Sequence, residues 1–311
     1  MRKMEKQRKV GWLATMAALS ASLAVATNGT QGTLGKYNVA SAKEAASKAK
    51  WKRGDVPPPP TGGWSNAPAG KLKTLKINDI DYRFHYCLAG EFTMGSPESE
   101  SGRDSDEGPQ RKVTLDGFWM QETEVTQAMW KAVMGSNPSQ FTSSERNPVE
   151  TVGWNDCQEF IKKLNSLGVA PRGFQFRLPS EAQWEYACRA GAAGPYAGSS
   201  LDALGWYDDN SGDRTHEVGT KSANAWGLYD MHGNVWEWCE DWYDSKYYEK
   251  SNNIQNPINV TTGSSRVLRG GSWGNYAEYC RSANRNYFDP RDRYINFGFR
   301  LALVRSSTSS K

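Results

Sequence analysis

The sequence predicts an α+β fold of small sheets, few helices and long irregular loops, and three observations point there. Ile77, Ile80, Tyr82, Phe84 and Tyr86 largely alternate with polar residues, the period-2 pattern of a half-buried strand. Helical periodicity with recognisable caps is confined to three segments between Thr126 and Gly191. Beyond Gly191, stretches dense in Gly, Asn, Asp and Trp run to Arg266, and only 267–269 and 298–303 then read as short buried strands.

Length and charge bound what surrounds this fold. The chain has 311 residues, with thirteen Trp. Such aromatics bury large areas and also line ligand pockets. Residues 1–76 carry 14 Lys or Arg against Glu5, Glu44 and Asp55, whereas the rest carry 24 against 31 acidic residues. A basic leader on an acidic domain argues against nucleic acid as a partner, because no basic face is left to neutralise phosphates. Residues 1–26 read as a signal peptide: Arg2, Lys3, Lys6, Arg8 and Lys9 precede an apolar stretch from Gly11, and Ala24-Val25-Ala26 fits a cleavage site. The apolar part is short for a spanning helix, so export is expected rather than anchoring. Residues 27–76 read as a Lys/Ala-rich and then Pro/Gly-rich linker, 77–305 as the folded domain and 306–311 as a polar tail.

Within the domain, 92–95 reads as a second strand closing in a turn, and the acidic run Ser96 to Gln110 as an exposed loop. Thr126 caps a helix that runs through Met134 and stops at Gly135. Asn155 caps a second, with Cys157, Phe160, Ile161 and Leu164 on one face and Gly168 after it. Ser180 caps a third, with Gln183 in capping-box position and Gly191 at its end. Trp130 and Trp184 fall on core faces and read as packing.

The stretch that carries chemistry is Gly227 to Tyr243, GLYDMHGNVWEWCEDWY. Asp230, Gly233 and Asn234 call for a tight turn, since Gly and Asn tolerate positive φ and Asp and Asn bond their own backbone. Such a turn can aim the carboxylates of Asp230 and Glu237 and the carbonyls of Gly233 and Val235 at one point, an oxygen set that suits calcium. The same residues also fit a hydrogen-bonded turn whose carboxylates pair with arginines such as Arg285 or Arg300.

Catalytic schemes built on other residues find little support. His85, His216 and His232 have no metal-binding spacing. Ser272 lacks a nucleophile elbow, and neither Gly233 nor Gly270-Gly271 has the strand-to-helix context of a phosphate loop.

This stretch resembles the signature of the formylglycine-generating-enzyme (sulfatase-modifying factor) family. The resemblance extends in order through FTMGSPESE at 92–100, ETEVTQAMW at 122–130, NPVETVGWNDC at 147–157, FRLPSEAQWEYACRAG at 176–191, RVLRGGSW at 266–273, CRSANR at 280–285 and NFGFRLAL at 296–303. It implies a C-type-lectin-like fold and a calcium held by Asp230, Gly233, Val235 and Glu237. In the family, two cysteines five positions apart after the GGS segment bind copper, whose Cu(I) state favours thiolates. Here the first position falls at about Asn275, and the second where the chain is some three residues shorter. Counting back from Arg285 places Cys280 at a separate position, so copper is not expected. Trp236 and Ser272 match retained residues of the family's catalytic pocket.

The resemblance also implies a disulfide. The family pairs the cysteine at Cys188 with one where Ser282 now stands, and Cys280, two residues earlier on an expected strand, is the preferred partner, with Cys239 as the alternative. Cys87 and Cys157 are expected to be reduced core residues. The functional expectation is an exported, calcium-stabilised domain that binds a peptide, protein or other polar ligand in a cleft. Trp236, Ser272, Trp273, Asn275, Cys280 and Arg285 are the cleft candidates. Two alternatives stand beside it: an oxidoreductase converting a sulfatase cysteine to formylglycine, and a lectin-like surface module that binds glycans through calcium.

Overall fold

The computed structural model describes residues 64, 67–250 and 254–306. The signal-peptide reading of 1–26, most of the linker and residues 307–311 of the tail lie outside them. Strand β1 (Leu72–Ile77) pairs antiparallel with β2 (Ile80–Cys87) through the positive-φ residues Asn78 and Asp79. The linker expectation is corrected here. Leu75 and Ile77 are buried among lysines that mask the alternation, and Trp64 packs edge-on against Trp119 while its carbonyl accepts the Trp119 indole N–H at 2.8 Å.

Two further hairpin partners follow, β3 (Gly90–Met94) with β4 (Arg111–Leu115). Gly95 turns the chain with φ 93°, as expected after a strand ending at Met94. The segment Ser96 to Gln110 between them is not the free loop its composition suggests. Glu107 is fully buried and bonds Arg281 at 2.6 Å and Ser96 at 2.8 Å, and Glu100 also reaches Arg281 at 2.6 Å. Arg281 lies 174 residues from Glu107 and 181 from Glu100, too far for local sequence to reveal the pairing.

After β5 (Phe118–Gln121) come three helices. Helix α1 (Gln127–Met134) has its Thr126 cap on Met129 N and Gly135 in the left-handed region. Helix α2 (Trp154–Ser166) begins at Gly153 rather than Asn155, because Asp156 accepts the Gly153 N–H at 2.8 Å. Helix α3 (Glu181–Arg189) carries the Ser180–Gln183 capping box and buries Trp184 and Cys188. Strand β6 (Phe174–Arg177) precedes it, and a one-turn helix α4 (Leu201–Leu204) opens the irregular half.

That half contributes β7 (Trp236–Trp242), β8 (Ile254–Gln255), β9 (Arg266–Arg269), β10 (Asn286–Phe288), β11 (Phe297–Gly298) and β12 (Ala302–Arg305). The run read as one strand at 298–303 is divided between β11 and β12, which join different sheets. Three small sheets result, ordered β1-β2-β5-β12-β6, β10-β9-β7-β11 and β3-β4-β8. The α+β expectation with long loops holds. Trp184 packs in a core shared by α3, β4, β5 and β7, with Met94, Leu115, Met120, Leu228 and Val267.

Buried arginines tie the irregular segments together. Arg269 donates to the carbonyls of Ser282, Ala283 and Asn284 and to Glu185 at 2.6 Å, so one side chain fixes three consecutive loop residues. Charge-assisted bonds of this kind are about twice as strong as neutral ones and cannot be exchanged for water in a buried site.

Candidate functional site

The turn at 230–234 forms as the sequence requires. Asp230, Gly233 and Asn234 have φ of 57°, 106° and 59°. Gly233 lies so close to the Trp206 carbonyl that a Cβ would strike it. Asn234 locks the turn with both ends of its amide, accepting the His216 N–H at 3.0 Å and donating to the His216 carbonyl at 3.3 Å. Beyond the turn, Trp236 opens β7.

Four side chains meet there in a buried chain of hydrogen bonds. The Trp236 indole N–H donates to Asn275 Oδ1 at 2.9 Å, and Ser272 Oγ donates to the same oxygen at 2.5 Å. Asn296 Nδ2 in turn donates to Ser272 Oγ at 3.0 Å. Gly270 and Gly271, with φ of 97° and 75°, turn β9 into the segment carrying Ser272 and Asn275. Asn296 Oδ1 is buried without a partner. Trp273 forms the adjoining wall, edge-on to Phe141 at 5.4 Å, with its indole N–H on Ile295 O.

The other two cleft candidates lie elsewhere. Arg285 is fully buried and grips Glu181 at 2.6 and 2.9 Å with Tyr248 against its guanidinium, so it acts as a core ion pair rather than a cleft contact. Cys280 ends a short 3-10 helix, Ala277–Cys280, and packs with Leu201 and Tyr207. Its thiol is pushed up to about 12 by burial, away from the thiolate form.

The disulfide expectation is corrected by the same helix. Cys280 does not share a strand face with residue 282, and all five cysteines are free. Cys188 instead donates to Ser282 Oγ at 3.6 Å and Met231 O at 3.7 Å, so Ser282 occupies the position opposite Cys188. Cys239 pairs with neither; its thiol bonds the Glu237 carbonyl. Ser272 and His232 do not form a dyad, because His232 Nδ1 faces Cys280 O and Nε2 takes the Ala197 N–H.

The oxygen-rich centre beside the turn is more complex than its four candidates. Glu237 holds Arg300 at 2.7 Å through both oxygens and accepts the Trp184 indole at 2.8 Å, the arginine pairing that the turn residues also allowed. Asp230 Oδ2 accepts the Gly219 N–H at 2.7 Å, but Oδ1 is buried without a partner. A residue that sequence reasoning missed completes the cluster. Glu124 is fully buried, and its carboxyl faces that of Asp230, with no N–H or O–H donor reaching either of its oxygens. Burial, and then the charge of Asp230, pushes the Glu124 carboxyl well above the usual carboxylate range. Burial likewise raises Asp230 to about 6. Two buried carboxyls facing each other, with so few donors around them, are costly unless a cation or a shared proton compensates them. Among the described residues, no three His, Cys, Asp or Glu side chains form a metal cluster by themselves, so backbone oxygens must complete any such site. The one signal in the sequence was a second glutamate, two residues after Glu122 and two before the Thr126 helix cap.

Comparison with known proteins gives this arrangement a family. Residues 84–305 match the Sulfatase-modifying factor enzyme 1-like domain. The chain belongs to that family. It is 36% identical over 204 residues to the formylglycine-generating enzyme of Streptomyces coelicolor, covering 60% of this chain and 61% of that enzyme. It is 31% identical over 215 residues to the chaperone protein LppX of Paenibacillus barcinonensis, covering 52% and 71%. The solved structure of Treponema denticola variable protein 1 superposes with a TM-score of 0.69 at 31% identity, covering 76% of this chain and 99% of that one. The chain thus spans less than two thirds of the Streptomyces relative's length.

Proposed function

We propose that this protein is an exported, calcium-stabilised member of the family that binds a peptide or other polar ligand at the Trp236–Ser272–Asn275 site and lacks copper-dependent formylglycine generation. The observation that carries this reading is the engagement of Asn275. The position where relatives place the first copper thiolate is an amide, already committed to Trp236 and Ser272. The nearest candidate for the second, Cys280, is a buried thiol among Leu201 and Tyr207. A donor and acceptor network of this type suits polar recognition better than one-electron chemistry, which requires soft ligands. The kinship with a relative named as a chaperone supports a binding role.

Calcium would be held by Glu124 and Asp230, with the carbonyls of Gly233 and Val235 completing an all-oxygen set; Glu237, also expected as a ligand, is committed to Arg300 and Trp184 and would act from behind by holding Arg300. It would supply positive charge to a cluster whose orphaned oxygens otherwise favour protonation. Its role is to hold the turn that presents Trp236. Export rests on the basic, apolar leader at 1–26.

Titration calorimetry with a peptide bearing a sulfatase-type cysteine motif tests the binding site. Binding by the native chain, lost in Asn275→Leu while circular dichroism is unchanged, is expected. Binding unaltered by that substitution contradicts the assignment, and calcium-dependent retention of glycans instead would replace it with the lectin reading.

A further inference from the structure

A cavity away from Trp236 opens beside β2. It has a volume of about 590 Å³ and runs between the outer face of β2 and the segments at 145–146 and 218–219. That size falls within the range of pockets that take small molecules and short peptides. Its charge is laid out in an ordered way. Asp81 and Arg83 stand two residues apart on β2, both on the exposed face, because Tyr82 and Phe84 turn inward. Residues at that separation on a strand are about 6.8 Å apart. Glu145 and Arg146 supply a second pair of opposite charges on the facing wall.

Arg146 is engaged by Glu217 at 3.1 Å, but the charges on β2 are less committed. Arg83 spends its Nε on Glu122 at 2.8 Å, and its side chain is 49% exposed. Among the described residues, Asp81 has no ion pair, and Glu145 meets only the exposed Lys131 at 3.0 Å. Exposed pairs of that kind are weak and easily exchanged. Glu122 is fixed from behind by His85 at 3.0 Å, so the floor that orients Arg83 is rigid. Ile80, Met129 and Val218 give the groove apolar contact for side-chain stems.

We propose that this groove binds an extended peptide segment carrying a basic and an acidic side chain two residues apart. An extended chain repeats its side chains on one face at the same spacing as Asp81 and Arg83, so a basic head meets Asp81 while the acidic group meets the Arg83 fork. A peptide with the charges on adjacent residues projects them to opposite faces and engages one at a time. The inference stands apart from the Trp236 site and does not depend on it.

The test is fluorescence anisotropy with the labelled peptide Gly-Lys-Thr-Glu-Gly-amide against Gly-Thr-Lys-Glu-Gly-amide, which has the same composition. The first is expected to bind the full chain about threefold to tenfold more tightly at low salt, the span of two exposed ion pairs, with the difference shrinking at high salt. Asp81→Asn and Arg83→Gln, both on the surface, are each expected to abolish most of that preference without changing the circular dichroism. Equal binding of the two peptides, no binding of either, or a preference untouched by both substitutions would overturn the proposal.

Discussion

The indole N–H of Trp236 donates to the side-chain oxygen of Asn275 at 2.9 Å, joining the first residue of β7 to the turn after β9. Ser272 donates to that same oxygen, so one amide satisfies two buried donors. Removing it strands both. Asn275→Leu is expected to lower stability by about 1–3 kcal/mol, the cost of leaving buried donors unpaired. Urea denaturation followed by tryptophan fluorescence measures this.

Calcium should stabilise the protein, and the effect should depend on pH in a definite direction. Asp230 and Glu124 have carboxyls raised by burial, so they ionise more readily unfolded than folded. Metal-free stability therefore falls as pH rises from about 4 through about 6, and Glu150, raised by burial to about 6, acts in the same sense. Calcium engages the ionised carboxylates, so its stabilisation should be small at pH 5 and larger at pH 7.5. At a concentration of 100 times Kd the gain is about 2.7 kcal/mol. Scanning calorimetry should show Tm rising with calcium and falling on chelation. Glu124→Gln should remove most of the rise.

Ser282→Cys should create the disulfide that the native chain lacks. Cys188 Sγ and Ser282 Oγ are 3.6 Å apart across 94 residues of chain. A bridge closing so long a loop typically adds about 2–4 kcal/mol. Intact mass after oxidation should fall by the mass of two hydrogens, and Tm should rise under oxidising conditions only. A variant that stays reduced would show that the two side chains do not reach bonding geometry.

Glu181→Ala should be among the most damaging substitutions. It leaves Arg285 charged, buried and without its bidentate carboxylate. Breaking such a pair from one side costs about 3–5 kcal/mol. Loss of a cooperative melting transition, or a Tm drop of that size, is the expected readout.

The local features of this fold were legible and the distant ones were not. Thr126, Ser180 and Gln183 announced two helix starts because each acts within three residues, and Gly233 and Asn234 announced the central turn through their tolerance of positive φ, though not their partners Trp206 and His216. Glu124 was passed over because its isolation depends on Asp230, more than a hundred residues later. Arg285 was read as a ligand contact because nothing near it in the chain reveals Glu181. Cys280 was placed on a strand, where the chain instead tightens into a 3-10 turn against Gly271.

The most direct test of the account is mass spectrometry of a sulfatase-type cysteine peptide incubated with this protein, copper and oxygen, beside an active formylglycine-generating enzyme. The account predicts an unmodified peptide here and conversion in the control. Conversion of the cysteine to formylglycine by this chain would contradict the account, because Asn275 and the buried Cys280 would then have to belong to a working redox site.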